Sequence, residues 1–221
     1  MQLYGIFGAG GFAREVIPVA SEMLRVKHNN KKDFELVFVV ENLKKASLLN
    51  GYRVISSEDF LASQVEDKYF NIAIADHQTR ARIAEITQAT GINPFSIFAE
   101  NSVRLDANQI GEGAILCPFT TITSNAKIGK FFHGNIYSYV AHDCIIGDYV
   151  TFAPNVHCNG KVIIEDYAYI GTGAVLKQGT EDKPIVIGKN AVVGMGAVVT
   201  KSVLPFTTVI GNPAAPLVKK Q

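Results

Sequence analysis

A six-residue hydrophobic period runs through the second half of this 221-residue chain and constrains its fold more than any other feature. An apolar residue stands at every sixth position from Ile110 to Leu176, with Gly134 as the exception, and the frame resumes at Ile187 after a break. A period of six fits neither the 3.6-residue turn of a helix nor the alternation of an ordinary strand. Short strands that are joined by turns and stacked coil upon coil produce self-similarity of this kind. The period therefore predicts a parallel β-solenoid.

Three six-residue units make a triangular coil of eighteen residues, so residues eighteen apart are expected to stack. Ile110, Ile128, Ile146 and Ile164 then form one column of the core. Glycines next to several column positions fit corners that need unusual backbone angles or a close approach of neighbouring coils. The break in the frame predicts a loop, Gln178–Pro184, extruded from one corner. Long insertions in solenoids cluster on a functional face.

The residues before the repeat alternate between apolar strands and amphipathic helices. Leu3–Phe7 predicts a first strand, and a glycine turn leads from it into a helix that extends to about Arg25. Further strands are predicted at Phe34–Val40, Tyr69–Ala75 and Pro94–Phe98, and further helices at Ser57–Ala62 and Thr79–Thr90. This pattern is typical of a parallel α/β sheet. We predict an α/β half-Rossmann domain over residues 1–98, followed by the β-helix over residues 99–221.

The first turn carries a phosphate-binding pattern. Gly8, Gly10 and Ala13 satisfy G-x-G-x-x-G/A between a strand and a helix, where backbone N–H groups are exposed to an anion. A tight turn without a ligand is the alternative. A dinucleotide fold needs two βαβαβ halves, and this chain supplies one. The pattern therefore predicts a mononucleotide rather than NAD.

Two carboxylates follow predicted strands of this domain at the edge where ligands bind in open α/β sheets. Glu41, with Asn42 beside it, follows the second strand, and Asp76 follows the third. Glu41 is suited to a ribose hydroxyl or a base N–H. A solvated turn carboxylate is an equal alternative at this position.

Composition narrows the function classes. A formal net charge of +1 provides no electrostatic basis for binding nucleic acid or a membrane surface. The sequence has no apolar run of eighteen residues and no export-signal pattern at its start. Its three cysteines include no CxxC pair, which favours reduced thiols and a cytoplasmic protein.

Three histidines, His133, His142 and His157, lie within the repeat. Their spacings of nine and fifteen are not multiples of eighteen, so a stacked zinc site is disfavoured and no metal is predicted. His142 lies at a turn, where a neutral imidazole can act as a general base near neutral pH. An exposed histidine without a role is the alternative.

The combination of motifs resembles a known family. The run Gly8-Ala9-Gly10-Gly11-Phe12-Ala13-Arg14-Glu15-Val16, hexapeptide repeats with Asn135 and Ala141-His142-Asp143, and a terminal Gly211-Asn212-Pro213-Ala214 are similar to the bacterial sugar O-/N-acyltransferases. These include the sialic acid O-acetyltransferases and the N-acetyltransferases of nucleotide-linked 4-amino-4,6-dideoxy sugars, within the hexapeptide-repeat superfamily. The resemblance covers nearly the whole chain.

The resemblance implies a left-handed parallel β-helix, a homotrimer with active sites between subunits, and acetyl-CoA as the co-substrate. His142 is then the general base for N-acetylation of a nucleotide-linked amino sugar destined for a surface polysaccharide or glycan, and Asp143 shapes its environment. A dTDP-linked 4-amino-4,6-dideoxyglucose is favoured, and a UDP-linked sugar is the other nucleotide form. O-acetylation of sialic acid and a non-catalytic trimeric scaffold are the alternative functions.

The resemblance also implies roles for individual residues. The Gly160 N–H is the candidate oxyanion donor, and Thr151 stands where some relatives carry a second histidine that contacts the cofactor. The implied substrate-binding residues are Gly8, Gly10, Gly11, Phe12, Arg14, Glu41, Asn42, Asp76 and Asn135. For acetyl-CoA, the resemblance implies Thr151 and Gly160. Small residues at coil corners that suit a pantetheine arm, and residues near the end of the chain that suit the adenine and 3′-phosphate, add Gly173, Gly194, Ala197, Lys201 and Pro213. The small residues at coil corners also have a purely geometric explanation.

Overall fold

A computed structural model describes residues 1–31, 33–43 and 47–217 of the chain. The chain divides into two compact units, Met1–Ala99 and the residues from Glu100 onward. Residues 218–221, which belong to the expected second domain, lie outside the described residues. Within the described residues, no helix is long and apolar enough to cross a membrane.

The described residues of the first unit form seven short strands and three helices. The strands are β1 Gln2–Phe7, β2 Phe34–Val40, β3 Ser47–Leu49, β4 Tyr52–Ser56, β5 Lys68–Ile72, β6 Asn93–Pro94 and β7 Ile97–Phe98. The helices are α1 Gly11–Lys27, α2 Ser57–Ala62 and α3 His77–Ala89.

Six of these strands form one sheet in the order β3-β4-β2-β1-β5-β6. Only β3 runs antiparallel, against β4, and the other neighbours are parallel. Because β1 is central, the turn that follows it lies between the ends of β2 and β5 at the carboxyl edge of the sheet. The predicted half-Rossmann arrangement therefore places the glycine turn where ligands bind in such sheets.

Element boundaries differ from the sequence-based prediction in a few places. Helix α3 begins at His77 rather than Thr79, because the Asp76 side chain accepts a hydrogen bond from the Thr79 N–H at 2.8 Å and caps the helix. The predicted strand Tyr69–Ala75 is Lys68–Ile72, and the predicted strand Pro94–Phe98 is divided into β6 and β7. Strand β3 was not predicted.

The second unit is the left-handed parallel β-helix implied by the family resemblance. Its strands are mostly two residues long: β8 Val103–Arg104, β9 Gln109–Ile110, β10 Ile115–Leu116, β11 Thr121–Ile122, β12 Lys127–Ile128, β13 His133–Gly134, β14 Tyr139–Val140, β15 Ile145–Ile146, β16 Thr151–Phe152, β17 His157–Cys158, β18 Val162–Ile164, β19 Tyr169–Ile170, β20 Val175–Leu176, β21 Ile185–Ile187, β22 Val192–Val193, β23 Val198–Val199, β24 Thr208–Ile210 and β25 Ala215–Pro216.

Up to β23 every third strand pairs in parallel, so the coils build three sheet faces. At the end of the β-helix, β24 pairs in parallel with β22, and β25 pairs antiparallel with β24. Ile128 pairs with Ile110 on one side and with Ile146 on the other, and Ile146 pairs with Ile164, which confirms the predicted column. After the break in the frame, Ile187 takes the next place in this column against Ile164. The extra residues of the break therefore lie between β20 and β21, and the column of core residues continues from Ile164 to Ile187.

The corners of the β-helix are built on left-handed backbone conformations. At one corner Phe131, Tyr149 and Tyr167 have positive φ values, and their rings stack in succession with centroids 5.4 Å apart. A non-glycine residue in this conformation costs about 1–2 kcal/mol. Aromatic stacking contributes about 0.5–1.5 kcal/mol per pair, which offsets that cost along the column.

Candidate active site

His142 and Asp143 lie at a corner of the β-helix, one residue after the end of β14. Asn125, Asp143 and Lys161 share this corner at eighteen-residue spacing, and their φ values are +57°, +58° and +56°. The Asp143 N–H donates to the Ser124 carbonyl, and the Lys161 N–H donates to the His142 carbonyl, each at 3.0 Å. These coil-to-coil hydrogen bonds hold the backbone of His142 and Asp143 in one geometry.

The two side chains form a hydrogen-bonded pair although they are sequence neighbours. His142 Nδ1 lies 2.8 Å from Asp143 Oδ2. Because a carboxylate only accepts hydrogen bonds, Nδ1 carries the proton of this contact, and in the neutral imidazole Nε2 then presents a lone pair. The hydrogen bond with His142, and a weaker one from Asn125 Nδ2 at 3.3 Å, hold the pKa of Asp143 below its usual value. The side chains are 46% and 40% exposed, so the imidazole is open to a substrate.

Gly160 stands one coil further along and contacts the imidazole. A Cβ at this position would lie 2.5 Å from both Cε1 and Nε2 of His142. Real Cβ atoms do not approach that closely, so a side chain here would displace the His142 ring.

The Gly160 N–H donates to no partner among the described residues. The coil-to-coil hydrogen bonds at this corner instead use the Lys161 N–H and the Gly160 carbonyl, which accepts from the Gly179 N–H at 3.0 Å. An unpaired N–H next to the imidazole is the kind of donor that a developing oxyanion requires. The predicted oxyanion role of Gly160 is therefore compatible with its position.

Lys161 links this corner to the extruded loop. Its Nζ forms an ion pair with Glu181, and this hydrogen bond raises the pKa of Lys161. A cavity of about 150 Å³ next to the ion pair is lined by Asp143, Ile145, Lys161, Ile163, Thr180, Glu181 and Pro184. The loop therefore lies beside the His142–Asp143 pair.

In the first unit, the glycine turn follows β1 with the predicted geometry. Gly8 has a φ of +107°, and a Cβ there would lie 3.1 Å from the Ala73 carbonyl oxygen. A Cβ at Gly10 or Gly11 would meet nothing within 4 Å, so the turn is open on its outer side. Arg14 Nε donates to the Gly10 carbonyl at 3.3 Å. Phe12 is half-buried beside it at the start of α1.

Glu41 is paired with an arginine that the sequence analysis did not single out. Arg82 of α3 donates from both terminal nitrogens to the two carboxylate oxygens of Glu41, at 2.7 and 2.8 Å. The hydrogen bond from Arg82 holds the pKa of Glu41 below its usual value. Glu41 is thus paired with Arg82 rather than alone, although its side chain is 46% exposed. Asn42 is exposed next to it, while the Asp76 carboxylate is engaged as the cap of α3.

The comparisons with known proteins cover both units. Residues 5–87 match the family model described as the PglD N-terminal domain. The GDP-perosamine N-acetyltransferase of Escherichia coli O157:H7 is 53% identical over 214 residues, which cover 97% of this chain and 96% of that protein. The chain belongs to this hexapeptide-repeat sugar acetyltransferase family.

Two solved structures agree with this assignment. WeeI from Acinetobacter baumannii AYE is 51% identical and superposes with a TM-score of 0.92, covering 98% of this chain and 100% of that one. The acetyltransferase domain of PglB from Neisseria gonorrhoeae FA1090, in complex with acetyl coenzyme A, is 25% identical with a TM-score of 0.86, covering 98% and 99%. The acetyltransferase fold extends over nearly the whole of this chain.

The residues expected to hold acetyl-CoA in this acetyltransferase fall into two groups. Gly173 has a φ of +68° and faces open space, whereas Gly194 packs against Ile210 and Ala197 is fully buried. Lys201 lines a cavity of about 610 Å³ that also contains Lys177 and Lys183 of the loop region. Pro213 lies in the exposed turn before β25. Coil geometry alone accounts for Gly194 and Ala197, while Gly173 and Lys201 are accessible.

Two further expected residues lie away from His142 within one chain. Asn135 follows β13 at a different corner, where its Oδ1 accepts from the Ile136 N–H at 2.7 Å. Thr151 is buried in β16, in register with His133 and Tyr169.

The described residues contain no group of three His, Cys, Asp or Glu side chains that could hold a metal ion.

Sequence reasoning missed Asn125 and Lys161 beside the His142–Asp143 pair. The signal was available, since each stands eighteen residues from Asp143 and the same period predicted the core columns. The Glu41–Arg82 pair had no such signal, because the two residues lie 41 positions apart in elements of different type.

Proposed function

We propose that this acetyltransferase transfers the acetyl group of acetyl-CoA to the 4-amino group of GDP-linked perosamine, a 4-amino-4,6-dideoxy sugar. The observation that carries this proposal is the His142–Asp143 pair next to the unpaired Gly160 N–H, in a chain that is 53% identical to a GDP-perosamine N-acetyltransferase. The sequence analysis favoured a dTDP-linked sugar. The relatedness to a GDP-sugar enzyme favours guanosine instead.

The proposed reaction uses one base and one oxyanion donor. The sugar amine attacks the thioester carbonyl, and His142 Nε2 takes a proton from the nitrogen as the new C–N bond forms. The Gly160 N–H donates to the carbonyl oxygen as it becomes an oxyanion. When the tetrahedral intermediate collapses, the C–S bond breaks and the CoA sulfur leaves as a thiolate, which then takes up a proton. Asp143 remains ionised throughout and stabilises the imidazolium, because its pKa is held low by the hydrogen bond with His142.

The first unit supplies the proposed nucleotide site. The open turn of Gly8, Gly10 and Gly11 at the start of α1 offers backbone N–H groups to the pyrophosphate, and Arg14 adds a positive charge. Glu41 is a suitable partner for guanine, because a carboxylate can accept from both the N1–H and the 2-amino group, whereas thymine offers a single N–H. Arg82 keeps this carboxylate ionised and oriented.

The lysine-lined cavity of the second unit is the proposed site for the phosphates of acetyl-CoA. Lys177, Lys183 and Lys201 surround a cavity of about 610 Å³ with Thr180 and Ser202. Concentrated positive charge of this kind attracts a polyanionic ligand. We further propose a homotrimer, in which residues at different corners, such as Asn135 and His142, meet across a subunit boundary.

A nucleotide titration and a product analysis test this function. GDP is expected to raise the melting temperature more than dTDP or UDP at equal concentration, because binding to the folded state stabilises it. Incubation with acetyl-CoA and GDP-perosamine is expected to release CoA thiol and yield an amide that resists mild alkali. An alkali-labile ester would indicate O-acetylation, and no thiol release above background would refute the proposal. Light scattering should find three chains of 24.0 kDa per particle.

A further inference from the structure

Asn159 immediately precedes the proposed oxyanion donor, and every polar group it carries has a partner. Its N–H and its Nδ2 both donate to the Leu176 carbonyl, at 3.4 and 2.7 Å. Its Oδ1 accepts from the Tyr139 hydroxyl at 2.8 Å. Its carbonyl oxygen accepts from the Cys144 thiol at 3.1 Å. We call Asn159 with these three partners the Asn159 clamp.

The carboxamide of this clamp has no equivalent in the neighbouring coils. The residues eighteen positions before and after Asn159 are Ala141 and Lys177, neither of which carries a carboxamide. The carboxamide contacts are therefore not a requirement of the β-helix, whereas a carbonyl that accepts from the side chain fifteen residues earlier also occurs at Thr123, Asn135 and Ala153. The clamp occurs where the residue that follows Asn159, Gly160, contacts the His142 ring.

Peptide geometry connects the clamp to catalysis. The only cis peptide bond among the described residues is Asn212–Pro213, so the Asn159–Gly160 bond is trans. In a planar trans peptide the C=O and the following N–H point in opposite directions. The Asn159 carbonyl points at Cys144, which is fully buried in the core. The Gly160 N–H must then point outward, at the corner that holds His142.

We propose that the Asn159 clamp orients the Gly160 N–H for the oxyanion, with Cys144 and Tyr139 as positioning residues that do not touch the substrate. This inference rests on the proposed function of Gly160. Preorganised donors stabilise a transition state because they do not reorient during the reaction. A clamp that fixes the peptide plane supplies that preorganisation.

The Tyr139 hydroxyl stays protonated, and the Cys144 sulfur is hydrogen-bonded to Cys158 as well as to Asn159. Burial, and then the neighbouring Cys158, raise the pKa of Tyr139, so its hydroxyl keeps its proton over the whole neutral range. The hydrogen bond with Cys158 lowers the pKa of Cys144, whose Sγ lies 3.1 Å from the Asn159 carbonyl oxygen and 3.7 Å from that of His142. The hydrogen bond with Cys144, together with burial, raises the pKa of Cys158.

Replacing the thiol tests the clamp kinetically. Cys144→Ala is expected to lower kcat on the order of tenfold, with the KM of both substrates and the acid limb of the pH–rate profile unchanged. Cys144→Ser, which keeps a donor, should recover most of that loss. Cys117→Ala is the matched control, because Cys117 is also a buried thiol but lies outside the clamp. Equal losses in Cys144→Ala and Cys117→Ala, or a Cys144→Ala kcat within twofold of wild type, would overturn the proposal.

A second variant covers the case in which Cys144→Ala does not fold. Tyr139→Phe keeps the ring against His157 and removes only the hydroxyl that holds Asn159. It is expected to lower kcat severalfold without a change in KM, and an unchanged kcat would contradict the clamp.

A structural readout separates this inference from the proposed function. A crystal structure of Tyr139→Phe or Cys144→Ala should show a rotated Asn159–Gly160 peptide plane, whether or not the assay substrate is the right one. An unchanged plane refutes the clamp. Absence of turnover in the wild-type enzyme would instead refute the proposed function.

Discussion

Replacing Gly160 by alanine tests the geometry of the site at its narrowest point. The added Cβ would lie 2.5 Å from His142 Cε1 and Nε2 and 3.1 Å from Cδ2. A comfortable carbon contact is about 3.5–4.0 Å, so the ring has to move by about 1 Å. Because the ring is 46% exposed, it can move outward without disturbing the core.

The expected cost falls on catalysis rather than on folding. A shift of about 1 Å stretches the Nδ1–Oδ2 hydrogen bond of 2.8 Å and moves Nε2 away from the attacking amine. A misplacement of this size costs on the order of 100-fold in rate, or about 2.7 kcal/mol in activation free energy. The φ of Gly160 lies outside the left-handed region, so alanine adds no backbone strain and the melting temperature should change little.

Thiol release from acetyl-CoA, measured with a chromogenic disulfide, gives kcat for the variant. The His142→Ala and Gly160→Ala double variant is the control, because the alanine cannot clash with a ring that is absent. Its kcat should equal that of His142→Ala alone, which is the non-additivity expected of residues in contact. A Gly160→Ala kcat within threefold of wild type, or additive losses in the double variant, would refute the reasoning.

Three further predictions concern the base, the co-substrate and the corners. Asp143→Asn should lower kcat about tenfold and move the acid limb of the pH–rate profile to lower pH. The lowered pKa of Asp143 keeps a negative charge beside the imidazolium, and the variant loses that charge. An unmoved limb would contradict this. Lys201→Ala should raise the KM of acetyl-CoA about tenfold and leave that of the sugar unchanged, since one charge-assisted phosphate contact is lost from the cavity; equal effects on both KM values would exclude the assignment. Tyr149→Ala removes two ring stacks and should lower the free energy of unfolding by about 1–3 kcal/mol. Tyr137→Ala removes one stack at an exposed position and should lower it less. Melting curves that rank the two variants the other way would be inconsistent with the stacking argument.

The repeat could be predicted from the sequence in detail because it is a one-dimensional pattern. Each coil contacts its neighbours, so the spacing of Ile110, Ile128 and Ile146 defines both the strands and their partners. The glycine turn after β1 was predictable for a similar reason, since its strand, turn and helix are contiguous in sequence.

Side-chain pairing was predictable only where it follows the period. The contact of Gly160 with His142 follows the eighteen-residue spacing, although it was the family resemblance that singled out Gly160. The direction of the Asp143 carboxylate depended on a positive φ that a sequence does not display. The Glu41–Arg82 pair depends on how α3 packs in the sheet, and the partners of Asn159 lie on three different segments of the β-helix. Such contacts are set by tertiary packing rather than by local pattern.

The most direct test of the central claim is the turnover of His142→Asn with acetyl-CoA and GDP-perosamine. Asparagine keeps a polar side chain next to Gly160 but has no lone pair that can take a proton at neutral pH. The account predicts that kcat falls by about 10²–10⁴-fold while the KM of each substrate stays within a few fold of wild type. A variant that keeps near-wild-type kcat across the pH range would contradict the assignment of His142 as the base.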